Sequence, residues 1–176
     1  MKNPEANESS RRNFLLGAPA AAVAGLALAD ALFAPNASAQ AAGSAETFQY
    51  FSAGVMDADA KALQAAPGNN NLVTAKNFAM VLTTETAKSA KEFEWHEGRD
   101  HILIIVDGET VYEVGGKPKG GHNIRTGEWL APEAEGATKL TLKKGDILTI
   151  PRGTLHKRST AGSVTLLLIS PMGMAM

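Results

Sequence analysis

The feature that most constrains the fold is a series of short β-branched and apolar runs, separated from one another by Gly, Pro or Asp-Gly. The runs cover residues 72–83, 93–96, 101–107, 109–114, 140–142, 146–150 and 164–170. Runs of this length with turn residues between them are typical of β-strands. Because many short strands follow one another, the sequence predicts an all-β domain built as an antiparallel sandwich or barrel.

Three stretches depart from this strand pattern. Residues 56–66 contain helix formers, and Pro67-Gly68 ends the segment, so a short helix is expected before the strands. Residues 69–71 are three consecutive Asn, which we expect to form a turn. Residues 115–136 are glycine-rich and predict a long loop of the kind that covers a site on a β scaffold.

The composition excludes several classes of function. The chain has 17 Lys and Arg against 18 Asp and Glu, a net charge of -1, so it lacks the basic surplus that nucleic-acid binding requires. It has no Cys, which excludes disulfides, Cys-ligated zinc, iron–sulfur clusters and thiolate nucleophiles. Any metal must therefore be held by carboxylates and by the 4 His of the chain.

The N-terminal segment, residues 1–39, predicts an export signal. Arg11-Arg12 precede an alanine-rich apolar stretch, and Ala37-Ser38-Ala39 supply small residues for cleavage before Gln40. The paired arginines resemble the twin-arginine class of signal. The alternative is a membrane anchor, but Gly, Pro and Asp interrupt a run that is too short to span well. We expect a periplasmic or secreted protein with no stable membrane insertion after signal removal.

The stretch 145–156, GDILTIPRGTLH, contains the most specific motif. Gly145-Asp146 form a turn into a strand, residues 151–153 form a second tight turn, and His156 begins the next strand. This stretch resembles the second signature of the cupin superfamily, in which the terminal His is a metal ligand. The final Asn of that signature is Thr160 here, at a position that carries no metal.

The stretch 94–108, EWHEGRDHILIIVDG, occupies the place of the first cupin signature. That signature usually reads His, one residue, His, a later Glu, and an apolar strand ending in Gly. Aligned on Gly108, His96 takes the second His position, Glu94 the first His position, and His101 the Glu position. The two departures are reciprocal, so the implied ligand set is still three His and one Glu: Glu94, His96, His101 and His156.

Strand alternation supports this alignment. Glu94 and His96 lie two residues apart on one strand and so face the same side, while residues 97–100 form a turn that we expect to bring His101 back on the neighbouring strand. Leu103 and Ile105 share the inner face with His101. The aromatic residues Phe93 and Trp95 alternate away from this face and are expected to pack elsewhere in the sandwich or at a dimer interface.

Three imidazoles and a carboxylate suit one divalent transition metal ion, namely Mn, Fe, Ni, Zn or Cu. For Glu94 a second interpretation stays open, in which it only accepts a hydrogen bond from a ligand histidine and water completes the site. His122 is either an exposed loop residue or a lid residue that exchanges a proton with substrate. Arg158 follows His156 by two residues, so it either points inward, where it could bind a substrate carboxylate, or is solvated.

The resemblance implies a cupin-type jelly-roll β-barrel over residues 70–171, preceded by a linker and short helix over 40–69 and followed by a tail over 172–176. Cupins include dioxygenases, isomerases, lyases and non-catalytic binders, so the fold alone does not give the reaction. We expect a metal-dependent enzyme acting on a small oxygenated organic acid or sugar-like compound. The alternative is a non-catalytic periplasmic metal- or ligand-binding cupin. A homodimer is compatible with either interpretation.

Overall fold

A computed structural model describes residues 48–173; the predicted export signal lies outside these residues. Within these residues, one helix and eleven strands follow one another. They are α1 (Ala53–Ala65), β1 (Gly68–Thr74), β2 (Phe78–Ser89), β3 (Phe93–His96), β4 (His101–Val114), β5 (Lys117–Lys119), β6 (His122–Arg125), β7 (Glu128–Ala131), β8 (Glu133–Glu135), β9 (Thr138–Lys143), β10 (Ile147–Ile150) and β11 (His156–Pro171).

Helix α1 begins three residues earlier than the sequence predicts, because Ser52 caps it. The Ser52 hydroxyl accepts a hydrogen bond from the Val55 amide at 3.3 Å, which satisfies one of the amides left without a partner in the first turn. The helix lies against β2 and β11, where the Gln64 side chain donates to the Thr165 hydroxyl at 3.4 Å. It therefore covers the outer face of the sheet, opposite the barrel interior.

The barrel is organised by β4 and β11, which pair with each other in antiparallel fashion along almost their whole length. The sequence predicts separate strands at 101–107 and 109–114, but the chain forms one strand that bends at Gly108. Gly108 has a φ of 75°, and a Cβ there would lie 2.1 Å from the Ser163 carbonyl oxygen. A side chain at this corner is excluded because β11 bends against it at the same place.

The bend brings both ends of this strand pair together. His101 begins β4 and contacts Ser170 near the end of β11. His156 begins β11 and pairs with Val114 at the end of β4. Around this pair, β2 lies between β11 and β1, β9 and β10 pair with β4, and β3 pairs with β11 and β7. We call the end of the barrel where these strand ends meet the mouth.

Two predictions of irregular structure are wrong. Residues 69–71 belong to β1, where they pair with β2. Asn residues alone favour a turn, but the hydrogen bonds that β2 offers to their backbone favour the strand. The glycine-rich segment 115–136 is not one long loop: it contains β5, β6, β7 and β8, and β7 pairs with β3. Tertiary pairing overrides the local turn signals in both places.

The core fills the barrel below the mouth. Its buried members come from β4, β9, β10 and β11: Leu103, Ile105, Tyr112, Leu142, Ile150, Val164 and Leu166. Leu103 and Ile105 are buried on the same face as His101, as alternation predicts. Within residues 48–173, no helix is long and apolar enough to cross a membrane. The predicted antiparallel barrel with one short N-terminal helix is confirmed.

Candidate metal centre

Three histidines converge at the mouth of the barrel, and we call them the histidine cluster: His96, His101 and His156. Their ring centroids are 5.0 to 5.3 Å apart, and one nitrogen of each ring lies within 4.8 Å of the others. All three residues are buried, with exposed fractions of 2% to 6%. The two motifs, which are separated by 36 residues in sequence, thus meet in one place.

Each imidazole is held through its Nδ1 atom by a different partner. His96 Nδ1 lies 2.6 Å from the Glu128 carboxylate, His101 Nδ1 lies 2.9 Å from the Ser170 hydroxyl, and His156 Nδ1 lies 2.9 Å from the Thr154 carbonyl. A hydrogen bond at Nδ1 fixes the ring and favours the tautomer whose Nε2 carries a lone pair. The three Nε2 atoms therefore carry the lone pairs that can face a ligand, and that of His96 also lies 3.4 Å from Arg99 Nη2.

His156 Nε2 provides a test of whether a metal fits. This atom is buried and makes no hydrogen bond to the residues that the structure describes. A buried nitrogen without a partner is costly, and a metal ion would supply the missing interaction. Three imidazole nitrogens with hydrogen-bonded Nδ1 atoms are a donor set that transition metals accept, so the residues fit such an ion.

Glu94 lies beside the cluster and contacts one member of it. Its Oε1 is 3.5 Å from His156 Nε2, and 24% of its side chain is exposed, so it forms the accessible side of the site. Burial would raise the pKa of the Glu94 carboxyl, but its contact with His156 and the charge of the imidazoles when protonated lower it to about 2. A carboxylate that stays ionised is available as a fourth ligand.

Burial favours the neutral form of two of the imidazoles, those of His96 and His101. It lowers the pKa of His101 to about 2, and the charge of neighbouring His156 acts in the same direction. Burial also lowers the pKa of His96, although the hydrogen bond to Glu128 opposes this shift. Neutral imidazole is the form that coordinates a metal, because the coordinating nitrogen must carry a lone pair.

Two residues of the site were missed by the sequence analysis, Glu128 and Arg99. Glu128 lies directly opposite His96 on β7. It also accepts two hydrogen bonds from Arg99, at 2.5 Å from Nη1 to Oε1 and 2.9 Å from Nη2 to Oε2. The sequence offers one signal for each of them. Glu128 precedes Trp129 in the glycine-rich stretch, and Arg99 lies between His96 and His101.

One geometric expectation about the histidines is wrong. The turn 97–100 does not return His101 on the strand next to β3, because β11 pairs with both β3 and β4 and separates them. His101 instead reaches His96 across the mouth, from the other half of the bent strand pair. A short turn places two consecutive strands side by side when they form one flat hairpin. This turn instead connects two sides of a barrel.

Arg158 points into the barrel, as strand alternation predicts, but it is already engaged there. Its Nη2 donates to the Glu85 carboxylate at 2.6 Å and its Nη1 donates to the Tyr112 hydroxyl at 3.0 Å. We call these three residues the ion-pair cluster. Burial would lower the pKa of Arg158, but Tyr112 and Glu85 raise it, so the charge is retained. The solvated alternative for Arg158 is wrong.

The remaining candidates lie away from the histidine cluster. His122 is exposed and lies on β6, where it pairs with Leu130 of β7, rather than in a loop. Trp95 stacks on Trp129 with centroids 5.6 Å apart and an interplanar angle of 12°, on the face of the β3–β7 pair opposite His96. Phe93 is buried on the same side as Trp95, so both aromatics pack as alternation predicts.

Solved structures similar to this chain have cupin or double-stranded β-helix folds. A cupin superfamily protein from Desulfitobacterium hafniense is 19% identical, with 60% of this chain and 77% of that chain covered and a TM-score of 0.44. A cupin protein from Bacteroides fragilis is 14% identical, with 75% and 90% covered and a TM-score of 0.47. A protein with a double-stranded β-helix domain from Klebsiella pneumoniae is 15% identical, with 62% and 75% covered and a TM-score of 0.44.

No protein-family model and no curated protein matches the chain. The antiparallel strand order and the long β4–β11 pair bent at Gly108 are those of a jelly roll. With the histidines of both motifs gathered at its mouth, the chain has the cupin-type jelly-roll fold that its two signatures predict.

Proposed function

We propose that this protein binds one divalent transition metal ion through His96, His101 and His156, with Glu94 as fourth ligand, and uses it to transform a small oxygenated organic acid or sugar-like compound. The observation that carries the proposal is the common orientation of the imidazoles. Each Nδ1 is held by a hydrogen bond, so each Nε2 carries the lone pair that can face a ligand, and that of His156 makes no hydrogen bond to a described residue.

The residues around the cluster have defined tasks in such a site. Glu128 orients the His96 ring and increases its basicity through the 2.6 Å contact at Nδ1. Burial of the three imidazoles excludes water, and the partly exposed Glu94 leaves one side open to a small molecule. When bound, the ion would supply Lewis-acid polarisation of a substrate oxygen or a place for dioxygen beside the substrate.

The chain offers a matched control for metal binding, because one of its four histidines lies outside the cluster. We expect about one equivalent of metal per chain in the wild type, and loss of metal in the His96→Ala, His101→Ala and His156→Ala variants. His122→Ala, which alters an exposed residue of β6, should retain full metal content. Elemental analysis of the purified proteins measures this. Full metal content in all three cluster variants would disprove the proposal.

Turnover separates the enzyme from its rival, a non-catalytic metal- or ligand-binding cupin. A panel of small hydroxy acids, keto acids and sugars is incubated with the metal-loaded wild type and with His156→Ala. An enzyme consumes one of these compounds in the loaded wild type alone. A binding protein holds a compound, detected by calorimetry, without consuming it. Binding without turnover across the panel would favour the second function.

Export through a twin-arginine route is part of the proposal and is supported by the sequence of residues 1–39 alone. Changing Arg11 and Arg12 together to Lys should leave full-length precursor in the cytoplasm. N-terminal sequencing should place Gln40 first in the exported wild type. Normal processing of the Lys variant would contradict the twin-arginine assignment.

A further inference from the structure

Three of the 6 methionines of the chain lie close together in the tail, and we call them the methionine rim: Met172, Met174 and Met176. They occupy every second position, with Gly173 and Ala175 between them. The chain has no Cys, so thioethers are its only soft sulfur donors. Neither the strand pairing nor the histidine cluster requires this concentration of methionine.

Two relations place Met172 on the inner face of the barrel at the mouth, where it is half-buried. Met172 follows Ser170 by two residues, and the Ser170 hydroxyl lies 2.9 Å from His101 Nδ1, so strand alternation puts both side chains on the inner face. Met172 also forms an antiparallel bridge with Arg99, and directly paired residues project to the same side of a sheet. On that side Arg99 Nη2 lies 3.4 Å from His96 Nε2. Met172 therefore lies beside the histidine cluster.

The backbone of the tail is fixed where it leaves the barrel. The Met172 amide donates to the Asn77 carbonyl at 2.7 Å, and the Gly173 amide donates to the Gly98 carbonyl at 3.0 Å. Gly173 also packs against the Arg152 guanidinium, since a Cβ at Gly173 would lie 2.8 Å from Arg152 Nη1. The first thioether of the rim is thus held at a defined place, which reduces the entropy that a bound ligand must overcome.

Met174 and Met176 follow this fixed point and lie outside the described residues. A chain spans at most about 3.6 Å per residue, so their Cα atoms lie within about 14 Å of that of Met172. This spacing allows all three sulfur atoms to approach one ion. A thioether is an uncharged, polarisable donor that selects copper(I), whereas zinc and harder ions take imidazole, thiolate or carboxylate ligands.

We propose that the methionine rim binds copper(I) at the mouth of the barrel, beside the histidine cluster. The donors of this site are different from those of the proposed function, so the rim holds its ion without help from the imidazoles. Because Met172 shares the inner face with the residues that contact His96 and His101, an ion on the rim lies next to the cluster. Binding releases no proton, since a thioether has none to lose.

The test is a competition for copper(I), kept reduced by ascorbate in the absence of oxygen, between the protein and the chelator bicinchoninate. The absorbance of the chelator complex reports the copper that the protein has not removed. The wild type should remove copper(I), and the triple variant Met172→Leu, Met174→Leu, Met176→Leu should lose about one equivalent of this uptake. Leucine keeps the volume of methionine and removes the sulfur, so the fold should be retained. Zn²⁺ uptake by the histidine cluster should be equal in the two proteins.

The double variant Met56→Leu, Met80→Leu is the matched control, because it removes two thioethers that lie away from the inner face. Met56 lies on α1, and Met80 lies on the outer face of β2, since its neighbour Ala79 pairs with Ser170. This variant should take up copper(I) like the wild type. His156→Ala should also keep copper(I) on the rim, whereas the proposed function predicts that it loses Zn²⁺.

The outcomes separate this inference from the proposed function. No removal of copper(I) by the wild type, equal uptake in the wild type and the triple variant, or an equal loss in the control would overturn the inference. If the triple variant does not fold, Met174→Leu, Met176→Leu decides, because it keeps Met172 in place: uptake equal to that of the wild type overturns the inference. Failure of the wild type to take up Zn²⁺ would count against the proposed function alone. Loss of copper(I) in the triple variant, with Zn²⁺ uptake unchanged, would support the inference.

Discussion

The barrel encloses two buried polar clusters, each with two of its three members on the bent β4–β11 strand pair. The histidine cluster lies at the mouth, and the ion-pair cluster of Glu85, Tyr112 and Arg158 lies one row further in. Arg158 follows His156 by two residues on β11, so the rows are about 6.6 Å apart along the strand. The polar atoms of the deeper cluster bind one another, whereas at the mouth one nitrogen of each imidazole lies within 4.8 Å of the others.

This difference distinguishes a structural cluster from a binding site. Both contain titratable groups with pKa values displaced by burial, so a displaced pKa alone does not separate them. The separating property is hydrogen bonding: the Arg158 charge is paired internally, while the buried His156 Nε2 has no hydrogen-bond partner among the residues described. A cluster of the first kind stabilises the fold, and a cluster of the second kind needs a ligand.

The largest effect is expected from breaking the deeper cluster. Arg158→Met leaves the Glu85 carboxylate buried without its main partner and should lower the free energy of unfolding by about 3 kcal/mol, the lower end for a buried pair. The lower end applies because Lys88 Nζ also lies 3.4 Å from Glu85. Urea denaturation measures this. The double variant Glu85→Leu, Arg158→Leu should recover most of the loss, and a loss below about 1 kcal/mol in Arg158→Met would show that the pair is not structural.

A smaller effect is expected at the mouth, and it should depend on metal. Addition of metal at about 100 times its dissociation constant should raise the free energy of unfolding of the wild type by about 2.7 kcal/mol, since only the folded chain holds the ion. His156→Ala should show no such increase. Arg158→Met should show the full increase from its lower starting value. An equal response in wild type and His156→Ala would remove the distinction between the clusters.

Glu128→Gln should have a more modest effect on the mouth alone. The amide keeps the size of the side chain but loses the charge that His96 and Arg99 share, so metal affinity should fall roughly 10- to 100-fold. Calorimetric titration with metal measures this. Glu133→Gln, on exposed β8, is the control and should bind metal like the wild type. Unchanged affinity in Glu128→Gln would mean that His96 is oriented without its carboxylate partner.

The smallest effect concerns Tyr112, whose pKa is raised by burial. Because the fold favours the neutral phenol, this group contributes stability below its unfolded pKa of about 10, and that contribution is lost as pH rises above this value. Tyr50→Phe leaves Tyr112 as the single tyrosine of the chain. The ultraviolet absorbance of this variant should therefore rise only above about pH 10. Ionisation at or below the ordinary value would show that water reaches the deeper cluster.

The sequence predicted the histidine cluster because its members are set by local motifs. Strand ends and tight turns at 93–96 and 151–153 fix the direction of each side chain within a few residues. The contact between His96 and Glu128 could not be predicted in this way. It depends on the pairing of β3 with β7, and β7 is a four-residue strand inside a glycine-rich stretch whose local signals favour a loop.

For Arg158 and for the barrel corner at Gly108, the sequence likewise predicts the local geometry but not the contacts with distant strands. Alternation from His156 gives the inward direction of Arg158, but its partner Glu85 is 73 residues away on β2 and has no local signal. Asp107-Gly108 was interpreted as the end of a strand. The ladder continues because β11 has its own irregularity opposite Gly108, and such coordination between distant segments is invisible in one sequence.

The stacked pair of Trp95 and Trp129 means that the tryptophan fluorescence of this protein arises from one small region. These are the two tryptophans of the whole chain. Each is one residue from a member of the candidate site, Trp95 from His96 and Trp129 from Glu128, and Trp129 Nε1 donates to Glu97 at 2.9 Å. Indole emission from the intact protein therefore arises at the back of the β3–β7 pair. Metal binding at the candidate site can therefore be tested by fluorescence without an added label.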